Sequence, residues 1–150
     1  MRATGSALGK ALCATRGAAL VVTVQGELGA GKTTLVGGLL NALGVPGPIR
    51  SPTYTLIEPY ETDTVHIYHL DLYRLTDARE VEALGLRDLL DSDAALLIEW
   101  PERGAGMLPP VDLHIAIEYP ESGAAGRRLA LTAATPTGQR LLQQFRGVVN

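Results

Sequence analysis

The chain has 150 residues, of which 46% are hydrophobic and 19% are charged. This length fits one domain over residues 1–150, since chains usually divide only beyond about 250 residues, and the composition argues against intrinsic disorder. The net charge of −3, with 13 basic and 16 acidic residues and no run of Lys or Arg, disfavours direct binding of DNA, RNA or acidic lipid.

Cysteine content and hydropathy favour a cytoplasmic protein. The one cysteine, Cys13, cannot form an intrachain disulfide, as is typical of a reducing compartment. The longest apolar run, residues 18–24, is far shorter than the roughly 20 residues of a membrane-spanning helix, and the N-terminus has no signal-peptide pattern. We therefore expect no membrane partner.

The first third of the chain predicts a short helix, then a strand, a glycine-rich turn and a second helix. Apolar residues recur at helical spacing over residues 7–15, and Gly17 is suited to end that helix. Residues 18–24 are apolar on both faces, which is typical of a strand buried in a parallel sheet. The helical pattern returns over residues 35–43 and ends at Gly44.

The middle of the chain predicts a hairpin followed by a capped helix. Residues 53–57 and 65–70 have strand composition, and the short connection over residues 58–64 favours an antiparallel pair. Capping-box spacing predicts a helix over residues 77–84, which Gly85 interrupts before a further helical segment.

The last third predicts three strands and a helix. Residues 94–98 are fully apolar, whereas residues 111–118 alternate between apolar and polar and predict a half-exposed strand paired with residues 128–133. Thr135 and Pro136 predict the start of a last helix through residue 145.

Residues 26–33 match the phosphate-binding pattern of Gly, four residues, Gly, Lys and then Ser or Thr. Glycines let backbone N–H groups surround phosphate, and the next helix directs its positive end there. A chance match among 17 glycines is the alternative, but the pattern lies between a strand and a helix, as it requires. Lys32 would then neutralise the β and γ phosphates, Thr33 would contact Mg²⁺ and Thr34 would contact the α phosphate.

Two carboxylates at strand ends are candidates for the chemistry. Glu99 is the first polar residue after the apolar strand 94–98, and Asp71 ends the apolar segment 65–70. One would organise Mg²⁺ and the other would orient the attacking water, since hydrolysis needs more than phosphate binding. The simpler interpretations are that Glu99 is a solvated residue at a strand end and that Asp71 caps a turn. The sequence does not assign which carboxylate organises Mg²⁺ and which orients the water.

Four weaker signals accompany them. Trp100, the only tryptophan, either packs in the protein or contacts nucleotide or a partner. The segment 51–55 is either a nucleotide-sensing loop or a plain strand entry. For Arg127 and Arg128, the sequence favours solvated positions in a hairpin over contact with phosphate. His66 and His69 would face opposite sides of a strand, which disfavours a histidine metal site.

Three classes of nucleotide-binding protein remain after a guanine-specific GTPase is set aside, because the chain has no Asn-Lys-x-Asp element. They are an ATPase that drives a partner, a small-molecule kinase and a nucleotide-binding subunit without turnover. The kinase would need an acceptor pocket and a lid, for which the chain is small. The presence of both Asp71 and Glu99 argues against a subunit without turnover.

Four motifs in this order and spacing resemble the bacterial TsaE family (formerly YjeE). The motifs are Gly26 to Thr34, Ser51-Pro52-Thr53-Tyr54-Thr55-Leu56, His69-Leu70-Asp71-Leu72-Tyr73-Arg74-Leu75 and Glu99-Trp100-Pro101. The resemblance covers residues 8–133. It implies an α/β, three-layer P-loop NTPase fold with a mixed, mostly parallel central sheet and antiparallel hairpin additions.

The resemblance also implies a function. It is that of a slow, partner-coupled, Mg²⁺-dependent ATPase that acts with TsaB and TsaD in threonylcarbamoyladenosine (t6A) modification of adenosine 37 in tRNAs reading ANN codons. The tRNA would be contacted only indirectly. Thr33 and Glu99 would bind Mg²⁺, and Asp71 and Lys32 would be catalytic. The phosphates would lie against Leu28, Gly29, Ala30, Gly31, Lys32, Thr33 and Thr34.

Overall fold

One mixed sheet of six strands forms the centre of the protein in the computed structural model, which describes residues 1–150. The strands are β1 (Leu20–Gly26), β2 (Ile57–Glu61), β3 (His66–Asp71), β4 (Ala94–Glu99), β5 (Leu113–Glu118) and β6 (Arg128–Ala133). The α-helices are α1 (Arg2–Ala14), α2 (Lys32–Ala42), α3 (Leu86–Leu89) and α4 (Pro136–Val149). Two 3₁₀ helices cover Ala78–Leu84 and Pro101–Gly104.

The strand order is β2-β3-β4-β1-β5-β6. The pairs β3–β4, β4–β1 and β1–β5 are parallel, whereas β2 and β6 add to the two edges in antiparallel orientation. The predicted mixed, mostly parallel sheet with hairpin additions is therefore confirmed. Because β1, β3 and β4 run in the same direction, the segments after them meet at one edge of the sheet.

The two faces of the sheet bury separate apolar clusters. Val22 of β1 packs on one face with residues of α1, α2 and α4, in a cluster of 19 buried residues. Val21 faces the other side, where a cluster of 8 buried residues includes Val81 and Leu86. The protein thus has three layers, and the layer that carries α2 has the larger core.

Close backbone contact between α1 and α2 fixes the position of α2. A Cβ atom at Gly5 would lie 2.0 Å from the carbonyl oxygen of Leu35, and one at Gly38 would lie 2.2 Å from that of Arg2. Only glycine allows the two helices to approach this closely. Since α2 begins at Lys32, this contact also holds the start of the phosphate-binding motif.

The prediction of a strand over residues 53–57 was wrong, because the strand begins at Ile57 and runs to Glu61. Leu56 has a left-handed φ of 67°, and its N–H donates to the carbonyl oxygen of Pro52 at 2.8 Å, so the preceding residues form a turn. Pro59 therefore lies inside β2, where it is tolerated because β2 is an edge strand.

Other predictions differ from the structure only in bounds or helix type. The capping box at Asp77 is present and Gly85 interrupts the helix with φ 62°, but the segment Ala78–Leu84 is a 3₁₀ helix. The first helix begins at Arg2, well before residue 7, and the last helix extends to Val149. None of the helices combines the length and hydrophobicity that a membrane span needs.

Candidate active site

The loop between β1 and α2 carries the phosphate-binding motif. Gly29 and Gly31 have left-handed φ values of 79° and 108°, which favour glycine. Gly31 caps α2 without a side-chain hydrogen bond, and the first turn of α2 holds no acidic residue. The helix thus places no acidic side chain of its own at its positive end, as suits an anion-binding loop.

Lys32 lies under this loop, with only 5% of its surface exposed. Its Nζ donates to the carbonyl oxygens of Gly26 at 2.7 Å and Glu27 at 2.8 Å. Burial lowers the pKa of the Lys32 amine below its ordinary value, whereas the nearby carboxylates of Glu99, Glu102 and Asp71 act in the opposite direction.

Glu99 connects β4 to the loop. It is buried at 1% exposure, and the hydroxyl of Thr33 donates to its Oε1 at 2.9 Å and lies 3.2 Å from its Oε2. The Nε2 atom of His69 lies 2.5 Å from Glu99 Oε2. In the tautomer that carries its hydrogen on Nε2, His69 is the donor to this carboxylate. The sequence-predicted metal pair, Thr33 and Glu99, is brought into direct contact.

Asp71 lies at the end of β3 and is 4% exposed. Its Oδ1 accepts from the N–H of Tyr73 at 2.9 Å, and its Oδ2 accepts from the hydroxyls of Ser51 and, at 3.4 Å, Thr53. The segment 51–55 is therefore not a plain strand entry, because it is a turn attached to a candidate catalytic carboxylate. Asp71 has no hydrogen bond to the phosphate-binding loop.

Trp100 packs against the site. It follows Glu99 with a left-handed φ of 57°, an uncommon conformation outside glycine that is often found at functional sites. The Lys32 Nζ lies 4.2 Å from the centroid of the Trp100 ring. The centroids of the Tyr73 and Trp100 rings are 4.8 Å apart. The indole thus packs over the lysine, so the packing role of Trp100 lies beside the loop.

Two grooves flank the loop. The larger, of about 820 Å³, contains the side chains of Glu27, Trp100 and Glu102 among its lining residues. The smaller, of about 370 Å³, lies between residues 29–31 and Arg127. Arg128 also lines the larger groove, where it forms an exposed ion pair with Glu118 at 2.8 Å, as expected for a solvated hairpin residue.

His69 is the residue that the sequence interpretation missed. Apart from its place in the motif that begins at His69, the sequence suggests for it only a disfavoured metal site with His66, which is exposed on the same strand, whereas His69 is fully buried. The signal available in the sequence was its position two residues before Asp71 in an apolar strand. Alternation places both side chains on the face of β3 that meets the loop.

Comparisons with known proteins identify the family to which this chain is similar. The sequence model of the family "Threonylcarbamoyl adenosine biosynthesis protein TsaE" matches residues 1–129. The tRNA threonylcarbamoyladenosine biosynthesis protein TsaE of Haemophilus influenzae is 44% identical over 127 residues, which cover 85% of this chain and 78% of that protein. The TsaE protein of Bacillus subtilis is 35% identical over 125 residues, covering 83% and 77% respectively.

A solved structure shows the same architecture. The crystal structure of YdiB from Bacillus subtilis superposes with a TM-score of 0.76 at 28% identity, covering 100% of this chain and 92% of that one. The predicted P-loop NTPase fold is thereby confirmed. With a family match over residues 1–129 and relatives at 44% and 35% identity, the chain belongs to the TsaE family of threonylcarbamoyl adenosine biosynthesis proteins.

Proposed function

We propose that this protein is a slow Mg²⁺-dependent ATPase that converts ATP to ADP and phosphate. Its turnover serves the t6A modification of adenosine 37 in tRNAs reading ANN codons, together with TsaB and TsaD. The observation that carries the proposal is the meeting of Lys32, Thr33 and Glu99 at the start of α2, with Asp71 at the neighbouring strand end.

The loop supplies the phosphate site. Residues 28–34 include the left-handed glycines and the uncapped start of α2, which together direct backbone N–H groups and a positive field to an anion. Lys32, held by two loop carbonyl oxygens, adds the positive charge that compensates the phosphates.

The residues present fit a magnesium ion. Thr33 Oγ1 and Glu99 Oε1, 2.9 Å apart, are hard oxygen donors, and Mg²⁺ is usually held by one or two carboxylates together with substrate phosphates. Thr33 and Glu99 would therefore hold the ion. When bound, it neutralises charge on the phosphate oxygens.

The two carboxylates divide the remaining work. Glu99 contacts the loop through Thr33 and is assigned to the metal, whereas Asp71 contacts the segment 51–55. We assign Asp71 to orienting the attacking water, because its oxygens are fixed by hydroxyl and N–H donors and a fixed carboxylate accepts a proton with the right geometry.

Dependence on TsaB and TsaD agrees with the surface of the site. Leu28 at the loop and Tyr54 in the segment 51–55 are 71% and 82% exposed, so both side chains are available to a protein partner. The net charge of −3 suits a protein that does not bind tRNA directly.

The experiment measures phosphate release from ATP with Mg²⁺ and no acceptor molecule. Release supports the ATPase, whereas ATP consumption only with an added acceptor would support the small-molecule kinase instead. Lys32→Ala should abolish ATP binding and release, and Lys10→Ala, at the other lysine of the chain, is the matched control because Lys10 is exposed on α1. Reconstitution with TsaB, TsaD and tRNA then tests the modification, and full modification without this protein would contradict the proposal.

A further inference from the structure

His69 is an unusual residue to find in the core of this sheet. It is 0% exposed, and its neighbours across the sheet are Leu97 of β4 and Glu58 of β2. Its Nδ1 atom is buried without a hydrogen-bond partner. Burying an unpaired ring nitrogen costs stability that an apolar residue would not cost, so packing alone does not account for a histidine here.

The one polar contact of His69 is with Glu99. Nε2 lies 2.5 Å from Glu99 Oε2, while Thr33 Oγ1 lies nearer to Oε1, at 2.9 Å, than to Oε2, at 3.2 Å. Thr33 of the loop thus contacts both oxygens and lies nearer to Oε1, whereas His69 in the sheet contacts only Oε2. A donor on Oε2 restricts rotation of the carboxylate about its last bond and favours the orientation in which Oε1 lies nearer to Thr33.

We propose that His69 is a positioning residue that holds Glu99 in the orientation needed to share a divalent cation with Thr33. The inference rests on the proposed function, in which Thr33 and Glu99 bind Mg²⁺ with the nucleotide. Groups that hydrogen-bond metal ligands from behind orient them and typically change metal affinity about 10- to 100-fold when removed.

The test compares three substitutions at the same position. His69→Leu keeps an apolar side chain of similar size in the core and removes the donor. His69→Gln restores an N–H donor at a reach similar to that of Nε2, whereas His69→Asn is too short to reach Glu99. His66→Leu is the matched control, because His66 lies on the same strand, is exposed and does not contact Glu99.

The measurement is the binding of a fluorescent ADP analogue to the full chain, first in EDTA and then as Mg²⁺ is added. For His69→Leu, the Mg²⁺ concentration at half-effect should rise about 10- to 100-fold, while affinity in EDTA stays within about 2-fold. His69→Gln should recover most of the Mg²⁺ response, and His66→Leu should match the parent chain.

Three results would overturn the inference. The first is an unchanged Mg²⁺ response in His69→Leu. The second is an equal loss of affinity in EDTA and in Mg²⁺, which would make His69 a packing residue. If His69→Leu does not fold, the third is the same Mg²⁺ response in His69→Gln and His69→Asn. If the nucleotide affinity of the parent chain does not depend on Mg²⁺, the proposed function itself is contradicted. This result would be known before any variant is made.

Discussion

Asp71 and Glu99 are register partners at the ends of the parallel strands β3 and β4, yet their carboxylates have different hydrogen-bond partners. Glu99 accepts from Thr33 of the phosphate-binding loop, whereas Asp71 accepts from Ser51 and from the N–H of Tyr73. Adjacent strand ends therefore supply two acidic groups, one directed to the loop and one to the segment 51–55.

This division of roles predicts that neutralising each carboxylate has a different effect on Mg²⁺ dependence and on turnover. Glu99→Gln should weaken the Mg²⁺ dependence of nucleotide binding and reduce turnover by about 100-fold or more, because an amide is a poor metal ligand. Asp71→Asn should leave Mg²⁺-nucleotide affinity near that of the parent and reduce turnover about 100-fold, as for loss of a proton acceptor.

Isothermal calorimetry with ADP at several Mg²⁺ concentrations, together with phosphate release, separates the two effects. Circular dichroism checks that both variants fold. Equal losses of Mg²⁺ dependence in the two variants would contradict the division of roles.

The burial of Lys32 predicts a pH dependence of nucleotide binding. In the proposed site the ammonium form would neutralise phosphate, and burial lowers the pKa of Lys32 below the ordinary 10.5, against the opposing effect of Glu99, Glu102 and Asp71. The charged form is therefore lost as pH rises through a value below 10.5, so nucleotide affinity should fall on the alkaline side before an ordinary lysine would titrate.

Nucleotide affinity measured from pH 7 to 10 in the parent and in Lys10→Ala tests this dependence. The two profiles should coincide, because Lys10 lies exposed on α1. A fall that disappears in Lys10→Ala would contradict the assignment to Lys32.

Much of this site was predictable from sequence because its parts are local. The phosphate-binding loop needs only contiguous residues, and Glu99 is visible as the first polar residue after an apolar strand. The contact of His69 with Glu99 was not predictable, since it depends on how β3 and β4 pair over 30 positions of sequence. The prediction of a strand over residues 53–57 was wrong for a similar reason. The Asp71 N–H donates to the carbonyl oxygen of Leu56, which is a non-local contact. Leu56 itself has a left-handed φ, and a leucine in the sequence does not indicate that conformation.

The contact between α1 and α2 predicts a large stability effect from a small substitution. Gly38→Ala would place a Cβ about 2.2 Å from the Arg2 carbonyl oxygen, so the helices must separate, at a cost of about 1–3 kcal/mol in the free energy of unfolding. Gly147→Ala is the matched control, because it lies in α4 with no atom within 4 Å of its added Cβ, and it should be neutral or stabilising by up to about 1 kcal/mol.

Urea unfolding of both variants measures the effect. A Gly38→Ala protein as stable as the parent would show that α1 does not pack on α2 as described. Because α2 begins at Lys32, we also expect weaker nucleotide binding in Gly38→Ala and unchanged binding in Gly147→Ala.

The hydroxyl of Ser51 predicts a defect in turnover without a defect in binding. Ser51 donates to Asp71 Oδ2, whose other donor, Thr53, is at the longer distance of 3.4 Å. Ser51→Ala therefore leaves that oxygen weakly held, and turnover should fall about 10-fold because a proton acceptor acts efficiently only when it is well oriented. Thr55→Ala is the matched control, since Thr55 is exposed in the same segment and its side chain makes no hydrogen bond. Phosphate release under saturating ATP gives the rate, and ADP titration gives the affinity. If Ser51→Ala and Thr55→Ala have the same turnover as the parent, the segment 51–55 does not orient Asp71; if Ser51→Ala instead loses ADP affinity with its turnover intact, the segment acts on binding rather than on hydrolysis.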